Sequence, residues 1–194
     1  MALGAQVPDA VPAVDPNMLL WERRAKIQAH VDNKAQTWRF GGQGITNDGA
    51  RLFAKALDEH PFITSLDLTD NEIGPAGAAA LAQSLANNNS LTALRLFGNQ
   101  IGIEGTAYLC SALENNKKLM SLDVASNQIG DKGALCLAKM LQTNRTLRKI
   151  DAGGNGITDS ANRTLQEAAN KSGVEDLKLW EVYQDMSLKA VSEA

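Results

Sequence analysis

The chain has 194 residues, 19 basic against 22 acidic, and 44% of them are hydrophobic. That is enough apolar mass for one continuous core, with a weakly negative balance. The Lys/Arg excess that nucleic acid or an anionic lipid surface would demand is missing, so neither is an expected partner. No run reaches the ~20 apolar residues of a bilayer span, and no basic stretch precedes an apolar one at the start. The expectation is a soluble, cytoplasmic protein without membrane insertion.

In chain order, residues 1–16 hold three of the five prolines and little to bury, which predicts an extended N-terminal tail. Such a tail can also be a peptide that another subunit grips. Residues 17–36 are expected to form a capping helix over Met18 to Asp32, with Asn17 after Pro16 as N-cap and Leu19, Leu20, Ile27 and Val31 as its apolar positions.

A strict 28-residue period follows. Ile63, Leu91, Leu119 and Leu147 each open a segment of the form LxxLxLxxNxI, and the copies succeed one another without insertion. Each is followed by a Gly-containing turn and a stretch with apolar residues at helical spacing, so each unit reads as strand, turn, helix. Leu66 and Leu68 face the core, Pro75 suits a helix start, and Leu81 and Leu85 lie one helical turn apart. Leu109 with Leu113, and Leu137 with Leu141, repeat that placement. Asn71, Asn99, Asn127 and Asn155 fall where the chain leaves each strand, where an amide can satisfy backbone groups that no strand partner reaches.

One period earlier, Trp38, Phe40, Gln43, Ile45, Gly49, Phe53 and Leu57 form a degenerate first copy, with Gln43 in the asparagine position. One period later, Val174, Leu177, Leu179 and Val182 resume the pattern one residue early and no asparagine follows, as expected of a terminal cap. The division is therefore a tail at 1–16, a capping helix at 17–36, five repeats at 37–173 and a capping repeat with tail at 174–194.

The period and motif mark a leucine-rich-repeat solenoid. The stretch Leu66-Asp67-Leu68 with Asn71, Ile73, Gly74, Gly77, Ala78, Leu81, Ala82 and Leu85 resembles the ribonuclease-inhibitor-like leucine-rich-repeat family over roughly residues 37–182. The resemblance implies an α/β short horseshoe, capped at both ends, with parallel strands on the concave face and helices on the convex face. It also implies protein ligands, because the family includes nuclease inhibitors, GTPase activators, immune receptors, actin caps and cytoskeletal or ciliary scaffolds. A fold analogy alone reaches no further.

Register names the concave residues. One column reads Thr37, Ser65, Ala93, Ser121, Lys149, Asp176. The next reads Arg39, Asp67, Arg95, Asp123, Asp151, Lys178. Strands ~4.8 Å apart let opposite charges pair laterally, giving either a self-satisfied ladder or a register code for a charged partner. A third column, Gly41, Thr69, Phe97, Ala125, Gly153, Trp180, sets an exposed Phe97 among small residues as an open apolar shelf, which Trp180 and Tyr183 extend. Alternatively, Trp180 folds over to seal the last repeat. The candidate partner-binding set is thus Arg39, Asp67, Arg95, Phe97, Asp123, Lys149, Asp151, Lys178, Trp180 and Tyr183.

Enzymatic chemistry finds little footing. His30 and His60 are placed away from any concave nucleophile and read as surface residues. Asp67 and Asp123 stand two strands apart, ~9 to 10 Å, with Arg95 between them, and the arginine is expected to hold both ionised, against a general-acid role. His, Cys and carboxylate spacing suits no metal, no phosphate-loop motif occurs, and no cofactor is implied. Cys110 and Cys136 read as reduced core thiols. The N-x-S/T matches at Asn88, Asn144, Asn162 and Asn170 read as loop chemistry rather than glycan sites. The expected function is a non-enzymatic interaction module, an adaptor or structural subunit of a larger assembly. The alternative is a monomeric regulator of inhibitor or GTPase-activating type, with Arg39 or Arg95 as a candidate supplied arginine. Self-association through Phe97 stays open.

Overall fold

A computed structural model of the chain describes residues 36–180. The tail at 1–16, the helix expected over Met18 to Asp32, His30, Val182 and Tyr183 lie outside the described residues. Six three-residue strands alternate with five helices. The strands are β1 (Thr37–Arg39), β2 (Ser65–Asp67), β3 (Ala93–Arg95), β4 (Ser121–Asp123), β5 (Lys149–Asp151) and β6 (Asp176–Lys178). Between them run α1 (Asn47–Glu59), α2 (Pro75–Asn87), α3 (Gly102–Asn115), α4 (Gly130–Met140) and α5 (Asp159–Ser172). All six strands are parallel and lie in sequence order in one open sheet. This is the leucine-rich-repeat solenoid that the period predicts.

The register advances by one repeat per strand: Thr37 faces Ser65, Ser65 faces Ala93, Ala93 faces Ser121, and Ser121 faces Lys149. At β6 it shifts by one residue, setting Lys149 against Asp176 and Asp151 against Lys178. The middle residue of each strand points into the core. Trp38, Leu66, Leu94, Leu122 and Ile150 are all essentially buried, and Leu177 is half-buried at the open end. The leucine pairs of α2, α3 and α4 are buried against them, since residues four apart share a helix face.

Two asparagine ladders hold the turns. At the strand exits, the Asn99 amide donates to Leu68 O and Leu96 O at 2.9 Å each, tying its own repeat to the preceding one. Its Oδ1 accepts from Ile73 N at 3.0 Å. Asn71, Asn127 and Asn155 repeat this pattern. The second ladder stands at the helix exits. Asn88, Asn116 and Asn144 each lie three residues before the leucine that opens the next repeat, and each Oδ1 accepts from that leucine's N–H. The Asn144 amide reaches back to Leu113 O at 2.6 Å and Asn116 O at 3.2 Å.

This second ladder bears out the loop reading of the N-x-S/T matches at Asn88 and Asn144, and α5 corrects it at Asn162 and Asn170. Asn88 and Asn144 are buried structural asparagines, while Asn162 and Asn170 sit inside α5 and not in loops. His60 fills the equivalent place in the first repeat. It is half-buried, with its ring 5.7 Å from Trp38 and 5.5 Å from Phe62, so it packs over the end of the core instead of standing free.

Candidate functional site

The strand face of the sheet is built by the outward residues of β1–β6 and the turn residue that follows each strand. Three aspartates occupy the same place in their units, at the last residue of β2, β4 and β5. Each spends Oδ1 in the same way, accepting the N–H two residues on. Asp67 accepts from Thr69, Asp123 from Ala125 and Asp151 from Gly153, all at 3.1 Å. This local bond fixes each side chain and leaves Oδ2 to meet the neighbouring strand.

The three Oδ2 atoms meet different neighbours. Asp67 Oδ2 lies 3.8 Å from Arg95 Nη1, and Asp151 Oδ2 lies 4.0 Å from Lys178 Nζ. Asp123 has no ion-pair partner among the described residues, because Arg95 turns toward Asp67 and the next strand offers Asp151. The expectation that Arg95 holds both acids ionised is therefore corrected. Burial pushes the Asp123 carboxyl above the usual aspartate value. The bond from the Ala125 N–H opposes that shift, adjacent Asp151 adds to it, and Arg95 and Lys178 oppose it more weakly.

Arg39 is exposed on the edge strand β1, and Lys149 is exposed on β5. Neither side chain forms an ion pair among the described residues.

The third column corrects the expectation of an open shelf. Phe97 is half-buried, and the Trp180 indole lies 6.5 Å from it, centroid to centroid, with the planes inclined by 33°. The two residues follow β3 and β6, each two residues past its strand, and those strands are three steps and ~14 Å apart by strand spacing. They meet because the positions between them are Ala125 and Gly153, whose side chains leave the floor empty. Trp180 lies flat on Gly153, where its ring atoms leave no room for a Cβ. Its indole N–H donates to Asp151 Oδ1 at 3.2 Å, and its carbonyl accepts from the Gly154 N–H. The aromatic pair forms a roof, and Ala125 beneath it is 0% exposed although it belongs to the outward column. Trp180 itself remains 40% exposed. It therefore covers the last strands and extends the apolar surface at the same time.

Sequence reasoning missed two features. The helix-exit ladder was visible as Asn88, Asn116 and Asn144 at the repeat period. On the helix side, Leu52, Ile103, Tyr108 and Leu135 are exposed apolar residues. They stand among the outward positions of α1, α3 and α4, where a strict amphipathic pattern would place polar groups.

Among the described residues no group of His, Cys, Asp and Glu could hold a metal ion, and no helix is long and apolar enough to cross a membrane. Cys110 and Cys136 are free thiols. Burial pushes the Cys110 thiol well above its usual value, with neighbouring Cys136 and Glu114 adding to the shift. That suppresses the thiolate on which cysteine reactivity depends.

Comparison with known proteins agrees with this geometry. A leucine-rich-repeat family model matches residues 59–82, 87–110 and 115–138. No curated protein matches the sequence. Among solved structures, the chain resembles leiomodin-1 actin-binding site 2 with a TM-score of 0.68 at 23% identity, covering 79% of this chain and 89% of that one. An internalin (inlF) from Listeria monocytogenes str. 4b F2365 aligns with a TM-score of 0.38 at 23% identity, covering 64% of this chain and 36% of the other. The first likeness is one of fold, and the second is too loose to carry an argument.

Proposed function

The chain is a leucine-rich-repeat protein, and from that premise we propose that it is a non-enzymatic interaction module, an adaptor or structural subunit that binds another protein on its strand face. The ribonuclease-inhibitor-like subtype rests on the 28-residue motif itself. The observation that carries the reading is the contrast on that face, where an aromatic roof at Phe97 and Trp180 adjoins a row of fixed charges on β1–β6. Aromatic side chains are among the usual anchors of protein interfaces, with charged groups at the rim setting partner and register. A solenoid offers such a surface along its length.

For the alternative of a GTPase regulator, Arg95 lies 3.8 Å from Asp67 while Arg39 is exposed with no ion pair among the described residues, so Arg39 is the first arginine to test. Actin is the first assembly to try, because the solved fold relative is named as an actin-binding site. The experiment is affinity capture from native lysate with the intact chain, Phe97→Asp and a chain lacking residues 1–16, alongside cosedimentation with actin filaments. Recovery of a constant set of proteins that Phe97→Asp loses supports the strand face as the binding surface. Equal recovery by Phe97→Asp overturns it.

A further inference from the structure

We propose that the strand face is built to receive a single cationic side chain, a lysine or arginine of a partner protein segment, at Asp123, with the stem of that side chain lying against the roof of Phe97 and Trp180. The proposal rests on the reading of the strand face as the binding surface and names what it binds.

Three aspartates share one position in the repeat, and each is locked by the same local bond through Oδ1. Two of them have a cation of this chain at Oδ2. The third, at the centre of the sheet, has none among the described residues, although Arg95 stands on the strand beside it. Its other lateral neighbour is Asp151, so two carboxylates sit side by side with one internal cation, Lys178, on the far side of Asp151. Among the described residues, Asp123 is therefore the one aspartate of the three without an ion pair.

The apolar half of the site is adjacent. Two residues along β4 from Asp123 is Ala125, at 0% exposure beneath the aromatic pair, and the Trp180 indole is anchored to Asp151. Asp123 and the roofed Ala125 thus stand two residues apart along the chain on the outward face. Lysine and arginine suit this arrangement because their methylene stems bury against apolar surface while the charged end stays with its partner. Cations are also drawn to the faces of tryptophan and phenylalanine. A carboxylate-bearing segment would meet Asp123 and Asp151 together and be repelled.

Half-burial of Asp123 makes this difference matter. A carboxylate that burial disfavours, and that Arg95 and Lys178 offset only weakly, gains more from an incoming positive charge than a solvated surface acid does.

The test uses a random dodecapeptide library displayed on phage, selected against the intact protein, with each enriched peptide then titrated as a free synthetic peptide. The expected result is enrichment of peptides with one Lys or Arg at a constant position beside an apolar residue. Their binding should fall by about tenfold or more when that residue becomes Gln, and by a similar factor with Asp123→Asn. A Glu104→Gln control on the helix side should bind as the parent does. The swap of Asp123→Lys with a glutamate in the peptide should restore binding. Thermal unfolding checks that Asp123→Asn folds, since asparagine retains an oxygen for the Ala125 N–H. Peptides that require Phe97 but bind Asp123→Asn equally well would overturn the cation proposal and leave the strand-face reading standing. Peptides indifferent to both Phe97→Asp and Asp123→Asn would overturn both, and so would a library that yields no binder.

Discussion

The buried face and the outward face of the sheet are made by alternate residues of the same three-residue strands, yet they follow opposite rules. Inward positions repeat nearly the same residue in every unit, with Leu66, Leu94, Leu122 and Ile150 in one column and Asn71, Asn99, Asn127 and Asn155 in another. Outward positions change at almost every strand, as in Arg39, Asp67, Arg95, Asp123, Asp151, Lys178. Packing imposes the first rule, because each unit closes on an identical neighbour and a change of volume is felt at once. Nothing in the fold imposes the second. Periodicity thus reports structure, and departures from it on the outward face are where specificity can be written.

The contrast can be broken most severely in the core. Leu122→Ala, on the buried side of β4, should cost about 2 to 5 kcal/mol through lost transfer energy and an unfilled cavity, while Ser121→Ala, one residue away on the outward side, should change stability by less than ~0.5 kcal/mol. Chemical denaturation of both variants checks the pair, and similar losses would sink the division into two faces.

Asn127→Ala comes next. It removes donors to Leu96 O and Ala125 O and the acceptor for Ile101 N. A loss of about 1 to 3 kcal/mol is expected for stranding buried backbone groups, read by urea unfolding. Gly105→Ala should cost about 1 to 3 kcal/mol by overpacking. A Cβ there would press on Ile101 and come within 3.0 Å of the Ala78 Cβ. A thermal midpoint unchanged from the parent would show that α2 and α3 can move apart freely.

The smallest effect sharpens the comparison from the other side. Burial raises the Asp123 carboxyl value in the fold, so the folded state holds that proton more readily than the unfolded chain does. The penalty for ionised Asp123 is present above the folded value and disappears as pH falls through it. Asp123→Asn should therefore stabilise the protein at neutral pH, by less than ~1 kcal/mol given solvent screening of a half-exposed group. The gain should fade toward acid pH. Thermal unfolding of parent and variant across that range measures it, and a loss of stability at neutral pH would contradict the reading of Asp123 as only weakly compensated. An outward residue whose removal stabilises the fold is one retained for something other than folding.

Much of this was legible in the sequence. The 28-residue step placed every strand, and the one-residue advance at Val174 and Leu177 anticipated the shifted register of β6. A parallel ladder with constant step leaves no freedom in which residues are neighbours. The helix-exit asparagines Asn88, Asn116 and Asn144 recur at the same period and are legible in the same way. Burial of His60 was less legible, since it depends on Trp38 lying within ring contact at the end of the core.

The sequence by itself determined the alternation of strand and helix, the inward columns and the residues available on the outward face, because all of these follow from period and hydrophobic pattern. Only the tertiary structure decided how the outward residues share one another. Arg95 sits between two aspartates and turns to one. Trp180 lies across Gly153 to meet Phe97 three strands away. The reason is physical: register sets which side chains are neighbours, but which neighbour a long side chain reaches depends on rotamer, on the empty space left by alanine and glycine, and on competition between charges across strands.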